Sequence, residues 1–134
     1  MTRNEAREKL MQIIYEMDAS KALLEDNAIE TASSIIKERL SGNHITRGNV
    51  IVGNIIDNLS DIDETINKHS TKWKTTRMPK VDLAIMRLAI GEIRYNDEAT
   101  DAVVINEAIN MAKKYSTDNS AKFIHGVLGA VLKG

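Results

Sequence analysis

Apolar residues recur every three or four positions along most of the chain, which is the spacing of one face of an α-helix. The first such run predicts a helix over Thr2–Asp18, and the next predicts a second helix over Lys21–Leu40. The middle of the second run, EDNAIETASS, is weakly apolar, so we expect a bend or a loop there. The SGN triplet at Ser41–Asn43 is typical of a helix end followed by a turn.

The clearest apolar pattern lies in the middle of the chain, where the steps alternate between three and four residues over five helical turns. Its members are Val52, Ile55, Leu59, Ile62 and Ile66. So narrow a stripe is typical of a helix that packs lengthwise against another helix. It predicts one continuous third helix. It also allows a structural scaffold in which two copies form a homodimer through this stripe.

The C-terminal part of the chain predicts three more helices. Pro79 suits a first helical turn and begins a helix that extends to Tyr95. The segment AVVINEAINMAKKY starts like a strand, but its helical spacing continues to Tyr115 and no second strand is available to pair with it. The last helix is expected to bury either Phe123 or Ile124, together with Val127, Leu128 and Val131. The pattern predicts an all-α fold of six or seven helices in a single compact domain, residues 1–134.

Composition and motifs argue against an enzyme. The chain has 43% hydrophobic and 28% charged residues, a net charge of −1 and no cysteine, which excludes disulfides and thiolate chemistry. The three histidines lie far apart, and no phosphate-binding glycine loop or nucleophile elbow is present. We therefore expect no catalysis, metal or cofactor. The N-terminus has no apolar segment typical of a signal peptide, and no run could span a membrane, so a cytoplasmic protein is expected.

A first candidate binding element is YSTDNSAKF, which leads into the last helix. Either Ser116 or Thr117 can cap that helix by accepting hydrogen bonds from its first backbone amides. The remaining free amides favour an anion such as an RNA phosphate, with Lys122 nearby and Phe123 available to stack on a base. The alternative is a plain helix cap with Phe123 in the core.

A second candidate lies on the flank of the first helix. There Arg3, Arg7, Met11 and Tyr15 follow each other at four-residue spacing. Two cations and an aromatic ring on one stripe suit phosphate contacts and base stacking. Because the helix also carries acidic residues, the alternative is a solvated face with ion pairs.

A third candidate is the connector KHSTKWKTTRMPK, Lys68–Lys80, which carries five Lys or Arg residues and no acidic residue around Trp73. Basic residues interleaved with an aromatic ring are typical of nucleic-acid binders. The alternative is a helix end that favours cations, with Trp73 folded over the core as a lid.

Three segments have the order and spacing of motifs in a known family. They are AREKLMQIIYEMD, VDLAIMRLAIGEI and AVVINEAINMAKKYSTDNSAKFIHGVLGAV. Through them the chain resembles the NusB family of transcription antitermination factors over nearly its whole length. The resemblance implies two small helical subdomains that share a core. It also implies binding to the boxA element of ribosomal-RNA leader transcripts jointly with NusE, a small-subunit ribosomal protein, in a complex that joins RNA polymerase.

The resemblance also implies site residues. On the first RNA-contacting element these are Arg3, Arg7, Gln12 and Tyr15. On the second they are Asp118, Asn119, Ser120, Lys122 and Phe123. Asp82 falls at an acidic position expected to face NusE.

Departures from the family pattern qualify these expectations. Asn4 and Glu5 stand where many relatives carry further arginines, so we expect weak RNA binding by the chain alone and dependence on the protein partner. Gly91 replaces a bulky residue within a helix, which predicts close packing or a kink. NusB-like domains also precede the catalytic domain of some ribosomal-RNA cytosine methyltransferases, but this sequence holds no cofactor-binding unit or catalytic cysteine.

Overall fold

The computed structural model describes residues 1–96 and 98–134. Within these residues the chain forms seven α-helices, a short 3-10 helix and no strand, which confirms the predicted all-α class. The helices are α1 Arg3–Ala19, α2 Ala28–Arg39, α3 Asn43–Asp57, α4 Leu59–His69, α5 Lys80–Tyr95, α6 Asp101–Tyr115 and α7 Asp118–Lys133; the 3-10 helix is Ala22–Leu24. None of the described helices is long and apolar enough to cross a membrane.

A capping box fixes the start of α1. The Thr2 hydroxyl accepts a hydrogen bond from the Glu5 amide at 3.1 Å, and the Glu5 carboxylate accepts one from the Thr2 amide at 2.9 Å. The bond from the Thr2 amide favours the charged carboxylate and lowers the pKa of Glu5. This reciprocal cap satisfies two backbone N–H groups and fixes the residue at which α1 begins.

The predicted second helix is interrupted close to where a bend or loop was expected. Lys21 has a left-handed backbone with φ +65°, which ends the α1 segment and starts the 3-10 helix. The α-helix resumes only at Ala28, after the polar residues of the EDN triplet.

The prediction of one continuous third helix is wrong. Asn58, with φ −121° and ψ 25°, separates α3 from α4, and its side-chain amide donates to the Asn54 carbonyl oxygen at 2.8 Å. Val52, Ile55, Ile62 and Ile66 are fully buried within this one molecule. A second copy cannot pack against them, so the homodimer through this stripe is also wrong.

Helix α5 is the centre of the domain. It packs against α1 and α3 and also against α4, α6 and α7, and its residues from Asp82 to Glu92 are all buried. Helices α1, α2 and α3 contact one another, while α7 contacts both α4 and α6. The two groups of helices therefore share α5 as a common core.

The predicted close packing at Gly91 is confirmed. A Cβ atom at this position would lie 2.5 Å from Cδ1 and 2.6 Å from Cγ1 of Ile55, a fully buried residue of α3. The absence of a side chain at Gly91 therefore sets how closely α3 and α5 approach each other.

Candidate nucleic-acid interface

The front of α7 is held by a hydroxyl cap. Of the two candidate residues, Thr117 is the cap, since its hydroxyl accepts from the Ser120 amide at 3.0 Å. The Ser120 hydroxyl lies 3.0 Å from that of Ser116, so Ser120 belongs to the cap structure. Asp118 and Asn119 are exposed on the first turn. The polar cluster thus begins a helix and also presents two free polar side chains.

Phe123 lies between the core and solvent. Ile124, the other candidate for burial on this helix, is fully buried, whereas Phe123 is half-buried and lines an open groove of about 540 Å³ beside α7. Lys122 is exposed and lines the same groove. One part of the Phe123 ring therefore packs on the core while another part is accessible to a ligand.

Arg7 does not lie on an exposed flank, and its predicted role in contacting RNA is wrong. The side chain is 3% exposed, and its Nε and Nη2 donate to the two carboxylate oxygens of Glu92 at 2.8 and 2.9 Å. Its Nη1 donates to Asn4 Oδ1 at 2.7 Å. The two-pronged pairing and the burial of the guanidinium direct Arg7 into the protein, so Arg7 stabilises the contact between α1 and α5. Met11, on the same stripe, is buried as well.

Arg47 completes this buried cluster. Its Nη2 donates to Glu92 at 3.2 Å, and its Nε lies 3.2 Å from the carboxylate of the exposed Glu98. Burial lowers the pKa of the Arg47 guanidinium, and the Glu92 carboxylate opposes that shift. The sequence interpretation did not identify the cluster. A signal was available, because Glu92 falls on the apolar stripe of α5, where a charged residue requires a partner.

The other α1 residues keep their polar groups accessible. Tyr15 is 37% exposed. Arg3 is exposed, and its Nη1 donates to the Glu98 carbonyl oxygen at 3.1 Å while its Nη2 lies 3.5 Å from the Glu98 carboxylate. Gln12 is half-buried, with its amide directed to α6.

Two contacts bring the flank of α1 to the junction of α6 and α7. Gln12 Nε2 donates to the Tyr115 hydroxyl at 3.2 Å, and Lys114 Nζ donates to a Glu8 carboxylate oxygen at 2.9 Å. The latter bond raises the pKa of Lys114. Tyr115 is the last residue of α6, and Thr117 caps α7 two residues later. The two candidate elements therefore meet at this junction, although Arg7 takes no part.

Asp82 does not face outward, so the predicted contact with a partner protein is wrong. Its side chain lies in the first turn of α5, it is 2% exposed, and Oδ1 has no hydrogen-bond partner among the described residues. The position at a helix N-terminus favours a negative charge. The carboxylate is covered by the surrounding helices and offers no surface to another chain.

Among the described residues, no group of three or more His, Asp or Glu side chains could hold a metal ion. In the described part of the chain, the flank of α1 and the ends of α6 and α7 meet at one junction, which is a candidate surface for a single-stranded nucleic acid.

Comparison with known proteins agrees with this fold. The NusB family model matches residues 4–133. The chain is 38% identical over 140 residues to the transcription antitermination protein NusB of Clostridium novyi (strain NT), covering 99% of each chain. It is 39% identical over 131 residues to that of Natranaerobius thermophilus, covering 98% of this chain and 94% of the relative. This chain belongs to the NusB family.

Solved structures show the same architecture. T. maritima NusB superposes with a TM-score of 0.86 at 28% identity, covering 99% of this chain and 92% of that one. A chain in the crystal structure of antitermination factors NusB and NusE in complex with dsRNA superposes with a TM-score of 0.81 at 23% identity. That second match covers 99% of this chain and 98% of the other, and it shows a common fold.

Proposed function

We propose that this protein acts in transcription antitermination, binding the boxA element of ribosomal-RNA leader transcripts jointly with NusE in a complex that joins RNA polymerase. Relatives that match almost the whole chain are named transcription antitermination proteins. One structure with the same fold was solved as a complex of NusB and NusE with double-stranded RNA. We also propose that the protein works in the cytoplasm and without catalysis, since these relatives carry the names of antitermination proteins and not of methyltransferases.

The observation that carries the proposal is the contact between Gln12 and Tyr115, which joins the flank of α1 to the end of α6, two residues before the Thr117 cap of α7. The α1–α7 surface, as we name it, consists of Arg3, Gln12, Tyr15, Asp118, Asn119, Lys122 and Phe123. It combines two cations for phosphates, two aromatic rings for stacking and three polar side chains for base edges.

Each element of the α1–α7 surface has a distinct task. The free backbone amides in the first turn of α7 and the Lys122 ammonium favour a phosphate at this end. Phe123 and Tyr15 offer ring faces to bases, and such stacking contributes about 1–3 kcal/mol per base. Arg3 lies nine residues before Gln12 on α1, about 14 Å along the helix axis at 1.5 Å per residue, so it reaches a more distant phosphate.

The electrostatic part of the interaction is small. Arg7 is buried, which leaves Arg3 and Lys122 as the cations of the surface, and Arg3 already contacts Glu98. If the protein neutralises two phosphates of a single strand, the logarithm of the association constant falls with the logarithm of the salt concentration with a slope of about −1.4. We therefore propose that RNA binding by the chain alone is weak and that NusE supplies much of the affinity.

Filter binding tests this function with boxA RNA and a scrambled RNA of the same composition, each with and without NusE. We expect a preference for boxA that becomes tighter when NusE is present, together with a shallow salt slope for the chain alone. Equal affinity for the two RNAs in both settings would overturn the proposal.

A further inference from the structure

The groove that Phe123 lines extends beyond the α1–α7 surface. One wall is α7, with Asn119, Lys122 and Phe123, and the other is the end of α4 and the residues after it, with His69, Thr71 and Lys72. The groove therefore connects the proposed RNA site with the basic connector Lys68–Lys80. The family resemblance assigned no role to that connector.

The groove carries positive charge on both walls. Lys72 and Lys122 are exposed, and neither forms an ion pair in the described part of the chain, unlike Lys80 and Lys114, which pair with Asp18 and Glu8. The connector has five Lys or Arg residues and no acidic residue. This charge is complementary to a nucleic-acid backbone.

An accessible aromatic ring lies next to this charge, at the edge of the groove. Trp73 does not itself line the groove, but it directly follows the lining residue Lys72, whose Nζ lies 5.7 Å from the centre of the Trp73 ring. Trp73 is 40% exposed, so it is not a closed lid on the core. Binding sites for single-stranded nucleic acids combine two components. Basic residues contact the phosphate backbone, and aromatic rings stack on the bases.

Hydrogen bonds also hold the connector in place. Because the segment is already ordered, it loses less conformational entropy when a ligand binds to it. The Ser70 hydroxyl accepts from the Trp73 amide at 3.2 Å and donates to the Trp73 carbonyl oxygen. The Asn67 side-chain oxygen accepts from the Thr75 amide at 2.8 Å, and Lys74 Nζ donates to the Asn67 carbonyl oxygen at 2.9 Å. The end of α4 thus anchors the segment that presents Lys72 and Trp73.

We infer that this groove is a second RNA subsite, which binds the single-stranded nucleotides next to boxA in the same transcript. The inference rests on the proposed function, because the strand enters the groove from the front of α7. Lys72 and Lys122 contact successive phosphates across the groove, and one flanking base stacks on Trp73.

The test uses the fact that Trp73 is the only tryptophan of the chain, so its fluorescence reports on this subsite. The full chain with NusE is titrated with boxA RNA alone and with boxA RNA extended by unpaired nucleotides at one end or the other. The anisotropy of a label on the RNA measures binding at the same time. A Trp73→Phe variant with the same partner provides the fluorescence background.

We expect one of the extended RNAs to bind more tightly than boxA alone and to quench Trp73, while boxA alone binds without quenching. Trp73→Ala should weaken binding of that extended RNA about 5- to 150-fold, which corresponds to the loss of one stacked base. Lys72→Gln should reduce its salt slope by about 0.7. Neither change should alter the affinity for boxA alone. Lys37→Gln on α2, an exposed lysine that does not line the groove, is the matched control.

The outcomes separate this inference from the proposed function. If boxA alone and its extended forms bind with equal affinity, all in preference to scrambled RNA, and Trp73 is not quenched, the subsite is wrong while the proposed function stands. If Trp73 responds to NusE and not to RNA, the groove is a protein contact and the inference is overturned. If neither boxA nor its extended forms bind in preference to scrambled RNA, the proposed function and the subsite both fail.

Discussion

Replacing Glu92 with Gln is expected to reduce the free energy of unfolding by about 3–5 kcal/mol, the usual cost of removing one partner from a buried ion pair. The carboxylate is the only buried acid that pairs with Arg7 and Arg47 in the described residues, and its side chain is 3% exposed. Glutamine keeps the shape but removes the charge, which leaves two guanidinium groups in the interior without a buried counter-ion. Urea unfolding followed by circular dichroism measures the loss.

Glu16→Gln is the matched control. Glu16 also pairs with an arginine through two hydrogen bonds, but its partner Arg39 and Glu16 itself are 39% and 50% exposed. Exposed pairs contribute at most about 1 kcal/mol, because water screens the charges. If Glu92→Gln costs no more than Glu16→Gln, the cluster does not hold α1, α3 and α5 together as described.

Replacing Gly91 with Ala is expected to destabilise the protein by about 1–3 kcal/mol, although alanine favours a helix by about 1 kcal/mol relative to glycine. The new methyl group would lie 2.5 and 2.6 Å from two carbons of the fully buried Ile55, and one of them, Cγ1, is not at the flexible end of the side chain. Either Ile55 adopts a strained rotamer or α3 and α5 separate. The midpoint of urea unfolding should fall accordingly.

Gly53→Ala provides a control of opposite sign. Gly53 also lies within a helix, α3, but a Cβ atom there meets nothing within 4 Å. The substitution should therefore raise the free energy of unfolding, by up to about 1 kcal/mol. If both substitutions stabilise the protein, the close approach at Gly91 is not a constraint on helix packing.

The helices that could be predicted best are those with local stop and start signals. Thr2, Pro79 and the YSTDN cluster lie at or next to the starts of α1, α5 and α7, within a residue or two of the expected positions. The break at Asn58 could not be predicted, because no glycine or proline marks it. The apolar steps of three and four continue through it, since α3 and α4 both bury their apolar faces in the same core.

The error on Arg7 has a different physical origin. Its position on the helical wheel, at the edge of the apolar face, is compatible with an exposed cation and with a buried ion pair. The outcome depends on Glu92, which is 85 residues further along the chain and reaches Arg7 only through the packing of α1 on α5. The periodicity of apolar residues describes one helix at a time, so it cannot predict an ion pair between two helices.

The same limitation explains why the site was found only in part. Local chemistry indicated Lys122 and Phe123 as candidate ligand contacts at the front of α7, with a core position for Phe123 as the alternative, and the structure places both at a groove. The other wall of that groove comes from the end of α4, which is distant in sequence. Only the contact between α4 and α7 brings Lys72 next to Lys122.

The central claim is that α1 and α7 form one RNA surface. Its most direct test is to measure how tightly the Tyr15→Ala and Phe123→Ala variants, each in complex with NusE, bind boxA RNA. Each variant should bind about 5- to 150-fold more weakly than the unmodified chain, because each loses one stacked base, while circular dichroism shows unchanged helicity. Leu132→Ala removes a similarly exposed apolar side chain near the far end of α7 and should bind normally. If either Tyr15→Ala or Phe123→Ala binds boxA as tightly as Leu132→Ala does, the two helices do not share an RNA site.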